Sequence, residues 1–276
     1  MNDLLNLLFK GLSLGSLYAL SAMGFVLIFR AGGIVNLAHG QLMAMGAFIF
    51  LLLYGFLDGG FIIVLLLTTL ICLLMILVIE RLLIRPFYPI DMKKAIFVTL
   101  GIMFMFKGLI ASVSLSSVEV VSKGQGFDSV HLYILAAGIV SIIILLLFYK
   151  RSSLGLYIRA VSDNRKAALS IGIPVKRLLT FTVLIAGMAS AISGILVIIG
   201  SGMNAADLGP MEARIFPSII LGGLGSMTGA IMGGIIMGII ESCSGEQSGP
   251  LRDLLPYLIM LVILLIRPKG LLTFKS

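Results

Sequence analysis

The sequence predicts an all-α membrane protein with about eight helical membrane segments: seven crossings plus a broken, Gly-rich re-entrant hairpin, the N-terminus outside and the C-terminus inside. Three observations carry this. Hydrophobic residues make up 59% of the 276 and charged ones only 12%, with a mean hydropathy of +1.17, a balance no soluble domain tolerates. Apolar runs near the ~20 residues that a helical span needs recur along the chain, and the alternating ten-residue pieces of a transmembrane barrel are absent. Lys and Arg gather in particular connections, where they report orientation.

The apolar segments lie at 4–29, 41–57, 61–84, 95–117, 131–149, 177–200, 212–242 and 251–267, with ends good to ~3 residues. Their connections are short, so residues 1–276 form a single transmembrane domain. The opening MNDLLNLLFK is neutral and runs into a long apolar stretch, which reads as a retained first helix and not a cleaved signal. Loop 80–94 sets Arg81, Arg85, Lys93 and Lys94 against Glu80 and Asp91; loop 150–177 sets seven basic residues against Asp163 alone. Both belong in the cytoplasm by the positive-inside rule. The connections at 58–60 (Asp58), 118–130 (Glu119, Lys123, Asp128) and 203–214 (Asp207, Glu212, Arg214) are neutral or acidic and go outside. The net charge of +8 therefore reports topology and a cytoplasmic docking face, with no nucleic-acid surface. Cys72 lies within an apolar run and Cys243 near a span end, a placement that disfavours a disulfide, and no Cys/His metal spacing occurs.

Segment 212–242 decides the far end. A single crossing would place Glu241, Glu246 and Asp253 inside and the tail with Arg267, Lys269 and Lys275 outside, both against the rule. A hairpin that enters from outside, turns within the membrane and returns removes both conflicts. Its middle, GGLGSMTGAIMGG at 222–234, has the glycines for a break, and Ser226 and Thr228 have hydroxyls for the freed backbone groups. A single long tilted span with small-residue packing faces is the other reading.

The stretch GGIVNLAHGQLMAMG, 32–46, holds Asn36, His39 and Gln41 between two apolar runs without a charge. An unsatisfied amide or imidazole costs several kcal/mol in hydrocarbon, so these residues belong at a bundle interior or a watery pathway, or else in a cytosolic turn leading into the second span. With Ser226 and Thr228 they form candidate pathway residues, one Gly-rich segment in each half of the chain. The loop KRSSLGLYIRAVSDNRKAALSIGIPVKR, 150–177, is too long for a turn: Ser162 or Asp163 is placed to cap a short helix from Asn164 to Gly172, with Pro174 barring continuation. Small residues beside charges suit a groove on a partner, and a solvated topology loop is the plainer reading. There is no GxxxxGK[ST] loop for phosphates and no acid/base set around His39 or His131, which predicts no enzyme chemistry and no cofactor on this chain.

NLAHGQLMAMGAF, ERLLIRPFYPIDMKKAIFVTLGI, RAVSDNRKAALSIGI, LGGLGSMTGAIMGGIIMGIIES and LLIRPKGLL, in this order over nearly the whole chain, resemble the LivH-like permease subunits of branched-chain amino acid ABC importers. The resemblance implies a bacterial inner-membrane permease that moves amino acids or related small polar solutes. It further implies a second, LivM-like permease subunit forming a heterodimer, two ATP-binding subunits that hold ATP and Mg, and a periplasmic solute-binding protein. It also places a coupling helix in the large loop, with that role falling on Arg159, Ala160, Asp163, Asn164, Ala167, Ala168 and Gly172. The alternative class is an ion-coupled carrier or channel with paired broken helices, which would not need the long basic loop. Lys107 charges an otherwise uncharged fourth span, where the family more usually has an uncharged amide. At mid-membrane it costs at least ~2.5 kcal/mol, so it either meets a solute carboxylate or snorkels along Phe and Met neighbours or pairs with the partner permease.

Overall fold

The computed structural model describes residues 2–57, 60–87, 92–112, 127–201, 211–244, 251–267 and 270. The described chain is helical: α1 (Asn2–Gly32), α2 (His39–Phe56), α3 (Phe61–Ile79), α4 (Met92–Ser112), α5 (Phe127–Arg151), α6 (Ser153–Asp163), α7 (Arg165–Ser170), α8 (Val175–Ser201), α9 (Met211–Gly222), α10 (Met227–Ser244) and α11 (Leu251–Ile266). Among the described residues seven helices, α1 to α5, α8 and α10, are long and apolar enough to cross a membrane. The count of seven matches the expected crossings, but the membership differs. Helix α10 qualifies, while α11, with 16 residues, spans about 24 Å, short of a ~30 Å hydrocarbon core.

Helix α1 is the central post, packed on α10, α8, α5 and α9, and α2 lies against α8 on its other side. Two close seams make this possible. A methyl group on Gly238 would stand on the backbone of Gly15, and one on Gly194 would stand on the carbonyl of Met43, so α10 meets α1 and α8 meets α2 at backbone contact. Helices α3, α4 and α5 form the flank, where Ile62, Leu66, Leu70 and Leu74 on α3 recur at fourfold spacing and are exposed, a face for lipid. Cys72 is buried and Cys243 exposed, and both thiols are free.

One end of the bundle collects the basic loops. Arg30 at the end of α1 reaches the carbonyl of Gly225 at 2.6 Å, and Gly270 packs on Gly223. The start of α8 is tied to α3 there, because Thr180 donates to Glu80 Oε1 at 2.6 Å. Glu80 is therefore not a loop residue: α3 continues through a π turn, Glu80–Ile84, and carries this carboxylate inward until it is fully buried. At the other end the Ser242 hydroxyl donates to the Leu7 carbonyl at 2.7 Å, and His131 is buried against Ser13 at 3.3 Å. The outer-connection residues Asp58, Glu119, Lys123 and Asp207, and Asp91, Glu246, Lys269 and Lys275, lie outside the described residues.

Segment 212–242 is a helical hairpin, α9 and α10, broken at residues 223–226. Gly223 has φ +92°, which only glycine adopts at little cost, and its N–H closes α9 on Ile219 O at 3.0 Å. Ser226 then opens α10 by accepting the Gly229 N–H at 3.0 Å. The break stands beside Arg30 at the basic end of the bundle, not halfway along it.

Candidate functional site

The large loop builds a compact two-helix unit. Ser152 caps α6 by accepting the Gly155 N–H at 2.9 Å. Asn164 closes α6 and also opens α7, its Oδ1 accepting the Ala167 N–H at 3.1 Å. The cap of the second helix is thus Asn164, in place of Ser162 or Asp163, because α6 runs on through both of those residues before the chain turns extended. Gly172 ends the unit with φ +84°, its N–H on Leu169 O. Asp163, Asn164, Ala167 and Gly172 are exposed, Arg159 and Ala160 half-buried, and Ala168 is turned into the bundle. Leu169 and Ile171 are exposed beside them.

What fixes this unit to the membrane helices is Tyr149, at the end of α5. Two guanidinium groups lie over its ring, Arg159 from α6 at 5.3 Å and Arg30 from α1 at 5.7 Å from the centroid. Arg159 also donates to the backbone carbonyls of Tyr149 and Lys150, the latter at 3.2 Å, and Arg30 donates to the Tyr149 hydroxyl as well as to Gly225 O. A continuous chain of contacts therefore runs from α6 through Tyr149 and Arg30 to the α9–α10 turn. Sequence reading missed this: nothing local marks Arg30 as a partner of the large loop, and Tyr149 gives no signal beyond an aromatic residue before Lys150 and Arg151.

The six candidate pathway residues do not form one cluster. Residues 33–38 fold back into the bundle instead of turning in solvent, with Ile34, Asn36 and Ala38 all buried. His39 consequently begins α2 level with Ser21, about 16 Å along α1 from its end at Gly32. Asn36 Oδ1 accepts the Ala38 N–H at 3.1 Å. His39 Nε2 lies 2.9 Å from the Ser21 carbonyl, which has no proton to give, so Nε2 carries the hydrogen; Nδ1 has no partner among the described residues. Ser190 of α8 bonds both the Ser21 hydroxyl (2.9 Å) and the His39 carbonyl (3.2 Å), and Gln41 is buried on α2 nearby. Non-helical backbone at membrane depth survives only where protein or a water-filled cavity covers it. Ser226 and Thr228 stand together at the α9–α10 turn, 3.2 Å apart, and Lys107 is exposed on α4, as are Phe104 and Met105.

A buried charge pair was also missed. Arg214 on α9 lies 3.2 Å from Glu241 on α10, and the Tyr18 hydroxyl of α1 donates to the same carboxylate at 2.6 Å. Sequence reading placed Arg214 and Glu241 in outer loops because charges end spans in hydropathy alone. Their mutual neutralisation lets both sit inside the bundle.

A bundle of long apolar helices around a tightly seamed central post, with non-helical chain folded into its interior and a capped charged unit at one end, defines a multi-pass membrane transport subunit. The chain belongs to the family described as branched-chain amino acid transport system, permease component, which it matches over residues 7–264. It is 26% identical over 289 aligned positions to the high-affinity branched-chain amino acid transport system permease protein LivH of Escherichia coli K12 and of Salmonella typhimurium, covering 96% of this chain and 94% of each relative. With the corresponding BraD of Pseudomonas aeruginosa the identity is 24% at the same coverage. In fold it is similar to a chain of PsaBC from Streptococcus pneumoniae, solved in complex with Fab, at a TM-score of 0.53 and 15% identity over 94% of this chain and 91% of that one. It is the membrane-embedded permease subunit of an ABC importer in the bacterial inner membrane, and membership implies ATPase and solute-binding subunits alongside it.

Proposed function

We propose that this chain forms a conduit with a second, LivM-like permease subunit, receives amino acids or related small polar solutes from a periplasmic solute-binding protein, and is driven by two ATP-binding subunits docked on α6 and α7. Branched-chain amino acids are the first solutes to test, since the LivH and BraD relatives carry that description. Residues 1–276 act as one permease domain, oriented with the N-terminus outside and the basic end, including loop 150–177 and the C-terminus, in the cytoplasm. The α9–α10 hairpin then descends from the outer side to the cytoplasmic end and returns.

The observation that carries this reading is the link Arg159–Tyr149–Arg30–Gly225. Exposed Asp163, Asn164, Ala167 and Gly172 offer a partner small contact residues with charges for register, while Arg159 and Ala168 hold the unit to the bundle. ATP and Mg are held by the partner. When its subunits close, the push on α6 passes through the Tyr149 ring to the end of α1 and to the hairpin turn, biasing a two-state bundle between outward and inward openings. Asn36, just before α2, and His39 and Gln41 on its first turn line the part of the bundle that such a movement uncovers; Ser226 and Thr228 lie at the inner end, and Lys107 faces the second permease or lipid.

The test is to purify the tagged chain with the products of neighbouring genes and measure solute uptake in vesicles loaded with or without ATP. Recovery of an ATPase and a second permease, with uptake only when ATP is inside and lost on Ala167→Trp, supports the proposal. Full uptake by this chain alone in ATP-free vesicles rejects it in favour of an ion-coupled carrier or channel.

A further inference from the structure

Glu80, the first residue of the stretch ERLLIRP, has no part in the coupling scheme, yet its side chain is fully buried where α3 meets α8. Its Oε1 accepts the Thr180 hydroxyl at 2.6 Å, and its Oε2 has no hydrogen-bond partner among the described residues. We propose that Glu80 is a positioning residue for transport: it latches Thr180 of α8 in the state seen here and takes Lys176 of α8 when the coupling unit drives α8 along α3. The latch rests on the reading that α6 and α7 receive the push of the ATP-binding subunits.

Three observations support an exchangeable contact. Burying a carboxyl group is costly unless each oxygen is hydrogen-bonded, and a hydrophobic side chain would fill the seam better if packing were the only demand. The oxygen left over in this state is used in another. The Thr180 hydroxyl, for its part, also stands 3.2 Å from the Lys176 carbonyl one turn back, an acceptor at hand when Glu80 is released. Breaking the latch therefore strands no donor. Lys176 itself is exposed and precedes Thr180 by four residues, so it lies on the same face of α8, about one 5.4 Å turn nearer the basic end. A shift of α8 away from that end by less than a turn, with the flexible lysine stem covering the rest, brings its ammonium to Oε2 and gives the carboxylate a cation.

The packing around α8 differs from side to side in the way such a shift requires. Against α2 and α1 the contact is backbone: a methyl group on Gly194 would stand on the Met43 carbonyl, and one on Gly24 would lie 2.9 Å from the Ala186 carbonyl oxygen. Against α3, the nearest atoms to a methyl group on Gly187 belong to the Ile76 side chain, whose flexible end can re-seat. Helices α1, α2 and α8 thus move as a block, and α3 is the partner they slide against. The π turn of α3 begins at Glu80 itself, with the Arg85 N–H reaching back to the Glu80 carbonyl, a wide turn found often at functional sites. Helix α8 starts at Val175, straight after the coupling unit, with Ile173 and Val175 buried, so a push on that unit reaches Thr180 within the first turns of α8.

The test uses the full chain in the assembled importer in nanodiscs, with Cys72→Ala and Cys243→Ser as background. Glu80→Cys is combined with Thr180→Cys or with Lys176→Cys, and cross-linking by a short membrane-permeant bis-methanethiosulfonate is scored without nucleotide and after trapping with ATP and vanadate. The Glu80/Thr180 pair is expected to cross-link without nucleotide and to lose most of that yield on trapping, and the Glu80/Lys176 pair to show the reverse. In the otherwise native chain, Thr180→Val should raise ATP hydrolysis without solute roughly fivefold, the ratio set by one hydrogen bond of about 1 kcal/mol. Thr180→Ser should restore the native rate, and Lys176→Met should lower uptake without that rise. A role in folding alone would move the melting temperature and both rates together, with no dependence on nucleotide. Cross-linking of Glu80/Thr180 in both states with none at Glu80/Lys176, or a native ratio of hydrolysis to uptake in Thr180→Val, overturns the latch. Ala167→Trp, scored in parallel, keeps the two readings apart: uptake lost there with an unmoving latch refutes the latch alone, whereas uptake unaffected by Ala167→Trp refutes the coupling reading and the latch with it.

Discussion

Tyr18 and Arg214, from α1 and α9, hold the two oxygens of a single carboxylate, Glu241 of α10, at 2.6 and 3.2 Å inside the bundle. Three helices thus share one buried charge. The pair neutralises itself, and the phenol satisfies the second oxygen.

Removing one partner of a buried ion pair leaves a charge without compensation and costs roughly 3–5 kcal/mol, whereas replacing both by apolar groups is often neutral. Glu241→Gln is therefore expected to lower the melting temperature and the yield of monodisperse protein, and Arg214→Met with Glu241→Leu to restore both once Tyr18→Phe removes the hydroxyl that would lose its acceptor. Size-exclusion profiles after a heat challenge check this. If the triple variant folds but no longer transports, the pair serves the conduit as well as the fold.

Tyr149→Phe keeps the ring beneath Arg159 and Arg30 but removes the hydroxyl acceptor, a loss of about 1 kcal/mol. Its coupling should be near that of wild type. Tyr149→Ala removes the ring itself, and the expected outcome is an assembled complex that hydrolyses ATP with little uptake. The ratio of solute moved to ATP consumed, measured in proteoliposomes, separates this from simple misfolding, in which both rates fall together.

Hydropathy and loop charge were enough to show the helical bundle, the gathering of basic loops at one end, and a break near Gly223, because each depends on local composition. Features made by pairs distant in sequence were not visible. Arg214 and Glu241 read as loop charges because each alone would be excluded from a span, and only their contact makes burial tolerable. Glu80 read the same way, since nothing local shows that Thr180, a hundred residues later, will meet it. The polar stretch at 32–46 was legible as unusual, but its residues 33–38 fold into the bundle because α8 and α1 supply Ser190 and Ser21 to receive His39.

At the α1–α10 seam, a side chain on Gly238 would strike the Gly15 backbone, and one on Gly234 would strike Ala19. Backbone atoms on a packed helix cannot step aside as a flexible side chain does. Overpacking costs typically 1–3 kcal/mol, so Gly238→Ala should destabilise by about that much and Gly238→Leu should prevent stable insertion. By contrast, Gly101 and Gly108 on α4 have open space around them, and alanine at either should leave the melting temperature unchanged or slightly raised, since glycine inside a helix costs about 0.5–1 kcal/mol relative to alanine. A fluorescence-detected melting series across these four variants measures the contrast.

Gly172 separates backbone strain from partner contact in the coupling unit. Its φ of +84° is in the left-handed region, and nothing lies within 4 Å of where a Cβ would stand. Any intrinsic penalty is then conformational, about 1–2 kcal/mol for most residues and less for Asn, whose short polar side chain tolerates this region. If the residue only terminates α7, Gly172→Ala should loosen the unit and lower coupled uptake, while Gly172→Asn should recover most of it. If a partner subunit packs on the bare Cα, as the exposed position favours, Ala and Asn should both impair uptake, with Asn, the larger, worse. ATP-driven uptake and basal hydrolysis of the assembled importer, compared across glycine, alanine and asparagine, give opposite rank orders for the two cases.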